Sequence, residues 1–98
     1  MSQEEIFERV EMFLDEKMKS IQLDEDAKLQ IALYLENREY EMAFEGFFLE
    51  LMNSEREIEL DPQACTAMAL GLRLDRETVF DSDFWARFQE FMGKSIRP

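Results

Sequence analysis

Glu4, Glu8, Glu11 and Asp15 recur at i, i+4, i+7 and i+11 near the start of the chain. On a helix that spacing sets four carboxylates in one stripe. Like charges at i, i+4 destabilise a helix by about 0.2–0.5 kcal/mol per pair, and a purely structural helix would usually interleave lysines. The stripe is therefore a candidate surface for a basic partner, weighed against the plainer reading of a solvated face. A second candidate lies where Glu41, Met42, Glu45 and Leu49 mix acid with apolar side chains, away from the main apolar face of their helix. For Met42 and Leu49 the alternative is packing beneath a neighbouring helix. Gly46 beside them either permits such packing or leaves room for a partner.

Other chemistry is poorly provided for. The chain has no histidine, so the commonest general base and the hydrolase triads are absent. With 23 acidic residues, no single carboxylate pair stands out as a catalytic dyad. Gly46, Gly71 and Gly93 are too far apart for a phosphate-cradling loop. The acidic run Asp24-Glu25-Asp26 invites a calcium test, since an EF-hand loop needs oxygen ligands at positions 1, 3 and 5, Gly at 6 and Glu at 12. Counted from Asp24, the fifth residue is Lys28, the sixth Leu29 and the twelfth Leu35, and the run fails. The lone Cys65 allows no internal disulfide and no thiol cluster for zinc, and reads as a small buried hydrophobe. Trp85 sits among core aromatics and reads as structural. We expect no catalytic residue, no metal site and no cofactor, and a protein that binds rather than catalyses.

Eleven basic residues against 23 acidic ones leave a net charge of −12. Such a chain repels nucleic acid and anionic membranes and attracts a basic partner. The charge is uneven: residues 1–61 hold 18 acidic and 6 basic residues, whereas residues 62–98 hold 5 of each. The longest notable apolar run, Ile31–Leu35, is five residues, far short of the roughly 20 that span a bilayer. The opening Met-Ser-Gln-Glu-Glu is acidic where a secretory signal would be basic and then apolar, so a cytoplasmic location is expected.

The elements that must position these residues are helices. Ser2 and Glu5 match a capping box, and Ile6, Val10, Phe13, Leu14 and Lys17 share a face, predicting a helix over about residues 3–18. Asp24 caps a second helix reaching about Glu36. With Ala27, Ile31, Tyr34 and Leu35 on one side and Leu29, Ala32 and Leu33 on the other, that helix is expected to be central and buried nearly all round. Asn37-Arg38 reads as a tight connection with Asn37 in the left-handed conformation. Tyr40, Ala43, Phe44, Phe47, Phe48 and Leu51 then follow the helical period without a miss over about residues 39–53. After a polar connector, 54–60, Asp61-Pro62 opens a fourth helix whose inner face is Ala64, Cys65, Met68 and Leu72. The stretch 74–80 reads at most as a short helical turn. Asp81 or Ser82 caps a last helix with Phe84, Trp85, Phe88, Phe91 and Met92 on one face, ended by Gly93. The expected architecture is one all-α domain over residues 1–98, a compact bundle of about five short helices.

Two stretches resemble Maf-type immunity proteins of bacterial polymorphic toxin and contact-dependent growth inhibition systems. Tyr34-Leu35-Glu36-Asn37-Arg38-Glu39-Tyr40-Glu41-Met42-Ala43-Phe44-Glu45 is similar to that family's central helix-turn-helix. Leu70-Gly71-Leu72, continuing through Leu74-Asp75 and Val79-Phe80-Asp81 to Phe84-Trp85, is similar to its C-terminal signature. The resemblance implies a small cytoplasmic protein that binds and neutralises the C-terminal domain of a cognate toxin, often a nuclease. It carries over no partner-contacting residue, because the matching positions are mainly apolar faces and caps. A nuclease holds a polyanion and so has a basic cleft, which an inhibitor at −12 can occupy or flank. The alternative from a different class is a small acidic adaptor or regulatory module docking a basic protein surface.

Overall fold

The computed structural model describes residues 2–54 and 58–95. Each helix begins or ends where the local chemistry dictates: α1 (Gln3–Ser20), α2 (Glu25–Glu36), α3 (Tyr40–Ser54), α4 (Pro62–Gly71) and α5 (Phe84–Ser95). Ser2 and Glu5 close the capping box of α1, Asp24 accepts the Ala27 backbone N–H at the head of α2, and Asp61 accepts those of Gln63 and Ala64 ahead of Pro62. The all-α bundle of five short helices matches the expectation, with a radius of gyration of 12.4 Å, near the about 13 Å of a compact chain of roughly 100 residues.

The central element is α3, not α2. Tyr40, Ala43, Phe44, Phe47, Phe48 and Leu51 are all buried, and α3 packs against α1, α2 and α5. Phe48 lies at the middle of the aromatic core, its ring 4.7 Å from that of Phe44, 5.2 Å from Phe47 and 5.1 Å from Phe88. The expectation for α2 is corrected: only Ile31 of that helix is buried, while Leu29 and Leu33 are 62% and 42% exposed. Two helices compete for one interior, and the four large aromatics of α3 remove more apolar area from water than the aliphatics of α2. The lesser helix is left at the edge with one side uncovered. Ala64 likewise is exposed; the buried side of α4 is Cys65, Met68 and Ala69, continued by Leu72.

The turns differ from expectation too. The left-handed residue after α2 is Arg38, at φ 59°, and not Asn37, at φ −90°. Glu39 N–H bonds to Tyr34 O at 2.7 Å and Arg38 N–H to Leu35 O at 3.0 Å, the paired bonds of a Schellman end. The end of α4 repeats it: Arg73 has φ 62°, Leu74 N–H reaches Ala69 O and Arg73 N–H reaches Leu70 O, both at 3.0 Å. Arginine thus stands twice where glycine is usual. Gly71 serves contact instead, since a Cβ there would lie 2.8–3.1 Å from three side-chain carbons of Ile6, so its absence lets α4 close on α1. Residues 72–83 form turns, and α5 runs through Gly93 to Ser95 rather than stopping at the glycine.

Candidate functional surface

The capping box starts α1 at Gln3; Val10 and Leu14 on that helix are buried, and Glu4, Glu8, Glu11 and Asp15 are all exposed. They differ in what they touch. Glu4 accepts from Arg38 Nη2 at 3.1 Å, but with both side chains largely exposed such a pair contributes only about 0–1 kcal/mol. Glu11 Oε1 accepts the Tyr40 hydroxyl at 3.2 Å, and the Tyr40 ring stacks on Phe7 with centroids 4.4 Å apart. Burial pushes the Tyr40 phenol up, against the pull of Arg38. Glu8 and Asp15 have no side-chain hydrogen bond or ion pair among the described residues. Glu5 and Glu16 widen the acidic face, with only Arg9 and Lys19 interleaved. The bonds from Ser2 hold the Glu5 carboxyl below its ordinary value.

Part of the second candidate joins this face. Glu41 and Met42, both half-buried, line a cleft of about 460 Å³ together with Phe7 of α1, Arg38, Arg73 and Glu77. The two left-handed arginines therefore flank one opening, at the converging ends of α2 and α4. Opposite charges alternate around it, so the cleft carries no strong field of one sign.

Glu45 does not join the surface, and its place among the partner-facing residues is corrected. Its side chain is fully buried. Oε1 accepts the Val79 backbone N–H at 2.8 Å, and Oε2 accepts those of Phe80 and Asp81, each at 2.9 Å. One carboxylate so satisfies three consecutive donors of an irregular segment that has no helix to satisfy them. The captured turn leads into α5, where Asp81 accepts the Asp83 N–H and pairs with Arg87. Those bonds, the Asp83 one first, hold the Asp81 carboxyl below its ordinary value. The stretches Tyr34–Glu45 and Leu70–Trp85 meet at this point, since Glu45 closes the first and Val79-Phe80-Asp81 belong to the second. Leu49 is half-buried and packed against the core, the alternative reading for it. Gly46 is not demanded by close packing, because a Cβ there would meet only the Phe80 ring, at 4.0 Å.

Cys65 is fully buried, and burial pushes its thiol up to about 12, as suits a core hydrophobe. Trp85 is half-buried, its ring stacked 5.7 Å from that of Phe88. Among the described residues, no cluster of three or more acidic or thiol side chains is placed to hold a metal ion, and no helix is long and apolar enough to cross a membrane. No protein-family model, curated protein or solved structure matches the chain.

Sequence reasoning passed over an apolar groove between α1 and α4. Its lining includes Ile6, Met12 and Phe13 on one side and Ala64, Ala67 and Met68 on the other. A signal was present: residues 62–72 contain no charged residue in a chain that is 35% charged. Met12, on the polar side of α1, was a second.

Proposed function

We propose that this chain is an immunity protein, a cytoplasmic inhibitor that binds and neutralises the C-terminal domain of a cognate bacterial toxin. The observation that carries the reading is the exposed acidic face of α1, where Glu8 and Asp15 have no partner among the described residues. A helix face that gathers like charges and leaves two of its carboxylates unpaired is suited to a partner that supplies the cations. A nuclease domain fits, since its nucleic-acid cleft must be basic. The resemblance over Tyr34–Glu45 and Leu70–Trp85 points the same way. In this reading the chain itself performs no catalysis and requires no metal or cofactor.

Co-expression with the product of the neighbouring reading frame, followed by pull-down and a nuclease assay, tests the assignment. The expected result is a stable pair in which cleavage is suppressed. Steering then supplies a finer test. Association is expected to slow from low to high ionic strength, because exposed charges are screened over about 8 Å at physiological salt. Reversal of Glu8 and Asp15 to lysine lowers the on-rate by about tenfold in stopped-flow kinetics, whereas reversal of Asp75 and Glu77 does much less. A salt-independent on-rate, or a larger effect of the control pair, rejects this surface.

A further inference from the structure

The acidic face of α1 borders a surface of the opposite character. Met12 stands among Glu8, Arg9, Asp15 and Glu16 and is 71% exposed, the most exposed large apolar side chain described. Beside it the α1–α4 groove opens, about 320 Å³, with Ile6 and Phe13 flanked by Arg9 and Glu16 in one wall and Ala64, Ala67 and Met68 in the other. The far wall is uncharged throughout, because α4 carries no charged residue, and Leu70 continues its outward side one turn beyond Ala67. Small residues, Ala64 and Ala67, line the α4 wall of the groove, and beyond its end Gly71 lets α4 close on Ile6.

We propose that this groove docks an amphipathic helix of the partner, its apolar stripe seated between Met12 and Ala67 and its lysines and arginines turned toward α1. The charge pattern selects that occupant. A second copy of this chain would bring its own net charge of −12 against Glu5, Glu8 and Glu16, and like charges across an interface oppose association. An apolar helix without basic residues would leave those carboxylates facing nothing. A basic amphipathic helix satisfies both walls, with Met12 as an adaptable anchor. The proposal rests on the reading of the acidic face as a docking surface for a basic partner and adds where that partner's apolar contact lies.

The probe is a synthetic helical peptide of Leu and Lys, with Leu at i, i+3, i+4 and i+7, set against a scrambled peptide of identical composition. Both are titrated into the full chain and followed by NMR of methionine, alanine and leucine methyls. The ordered peptide is expected to shift Met12, Met68, Ala64 and Ala67 and to bind about tenfold more tightly than the scramble, as one buried anchor implies. Ala67→Glu and Met12→Gln, both at exposed positions that leave the fold intact by circular dichroism, abolish the difference. Equal binding of the two peptides, lost on reversal of Glu8 and Asp15, overturns the groove while the acidic surface stands. Shifts centred on Leu29 and Leu33 of α2 overturn it in favour of that other exposed face. Sedimentation showing a dimer that Ala67→Glu dissolves assigns the groove to a second copy and overturns the proposal. Binding of neither peptide removes the acidic-surface reading along with it.

Discussion

Glu45 on α3 and Glu8 on α1 are the same side chain on two helices packed together, and they are used in opposite ways. Glu45 is sealed from water and spends its charge on three backbone N–H groups of residues 79–81. Glu8 lies on the surface and has no partner among the described residues. The first carboxylate acts at hydrogen-bond distance, in a setting where an unmet donor costs about 1–3 kcal/mol. The second acts through a field that salt can erase. Negative charge here therefore has two separable roles, holding the turn before α5 in place and presenting an acidic surface. A high content of Glu and Asp does not by itself say which.

The buried carboxylate is the more costly one to remove. Glu45→Ala leaves three donors without an acceptor and is expected to cost roughly 3 kcal/mol or more, read from the urea midpoint. Glu45→Gln keeps the size and one acceptor oxygen but turns an amide N–H₂ toward a donor, and loses less. If Glu45→Ala unfolds no more readily than the wild type, the turn does not depend on the carboxylate.

At the exposed end, Glu8→Lys with Asp15→Lys changes stability by no more than about 0.5 kcal/mol. At Glu8 the sign favours the variant, since Glu4 lies four residues before it, whereas at Asp15 the relief from Glu11 is offset by Lys19 four residues on. Glu11 is less suitable for reversal, because its bond from the Tyr40 hydroxyl couples α1 to α3. A large stability loss from the double reversal makes the stripe structural and ends the contrast with Glu45.

The smallest effect concerns the two left-handed arginines beside the cleft. Arg73→Gly relieves an unfavourable backbone conformation and is expected to stabilise the protein by about 0.5–1 kcal/mol, after the greater entropy of a glycine in the unfolded chain is offset. Arg38→Gly is expected to be near neutral, because it also removes the pair with Glu4 and the guanidinium lying 5.8 Å from the Tyr40 ring centre. Thermal unfolding of the two variants side by side measures the difference. Equal shifts would mean that the contacts of Arg38 contribute nothing.

Helical periodicity and capping were enough to place five helices, to within a residue or two at most ends, and to identify the buried faces of α1, α3 and α5. Both signals are local: a stripe at i, i+3, i+4 and a side chain that meets the N–H three residues on depend on near neighbours alone. The exposed side of α1 was legible for the same reason. Where two apolar helices vied for one interior, the chain's order could not decide between them. Leu29 and Leu33 look as apolar as Phe44 and Phe48 along the sequence, and only packing shows which set is covered. Glu45 was misplaced because its partners lie 34 to 36 residues away, though three of its four neighbours at i±3 and i±4, Met42, Phe48 and Leu49, are apolar. The groove belongs to the tertiary structure as well. The uncharged run 62–72 announces a helix with little to offer water, but a groove exists only once α4 has packed beside α1 and left Met12 at its edge.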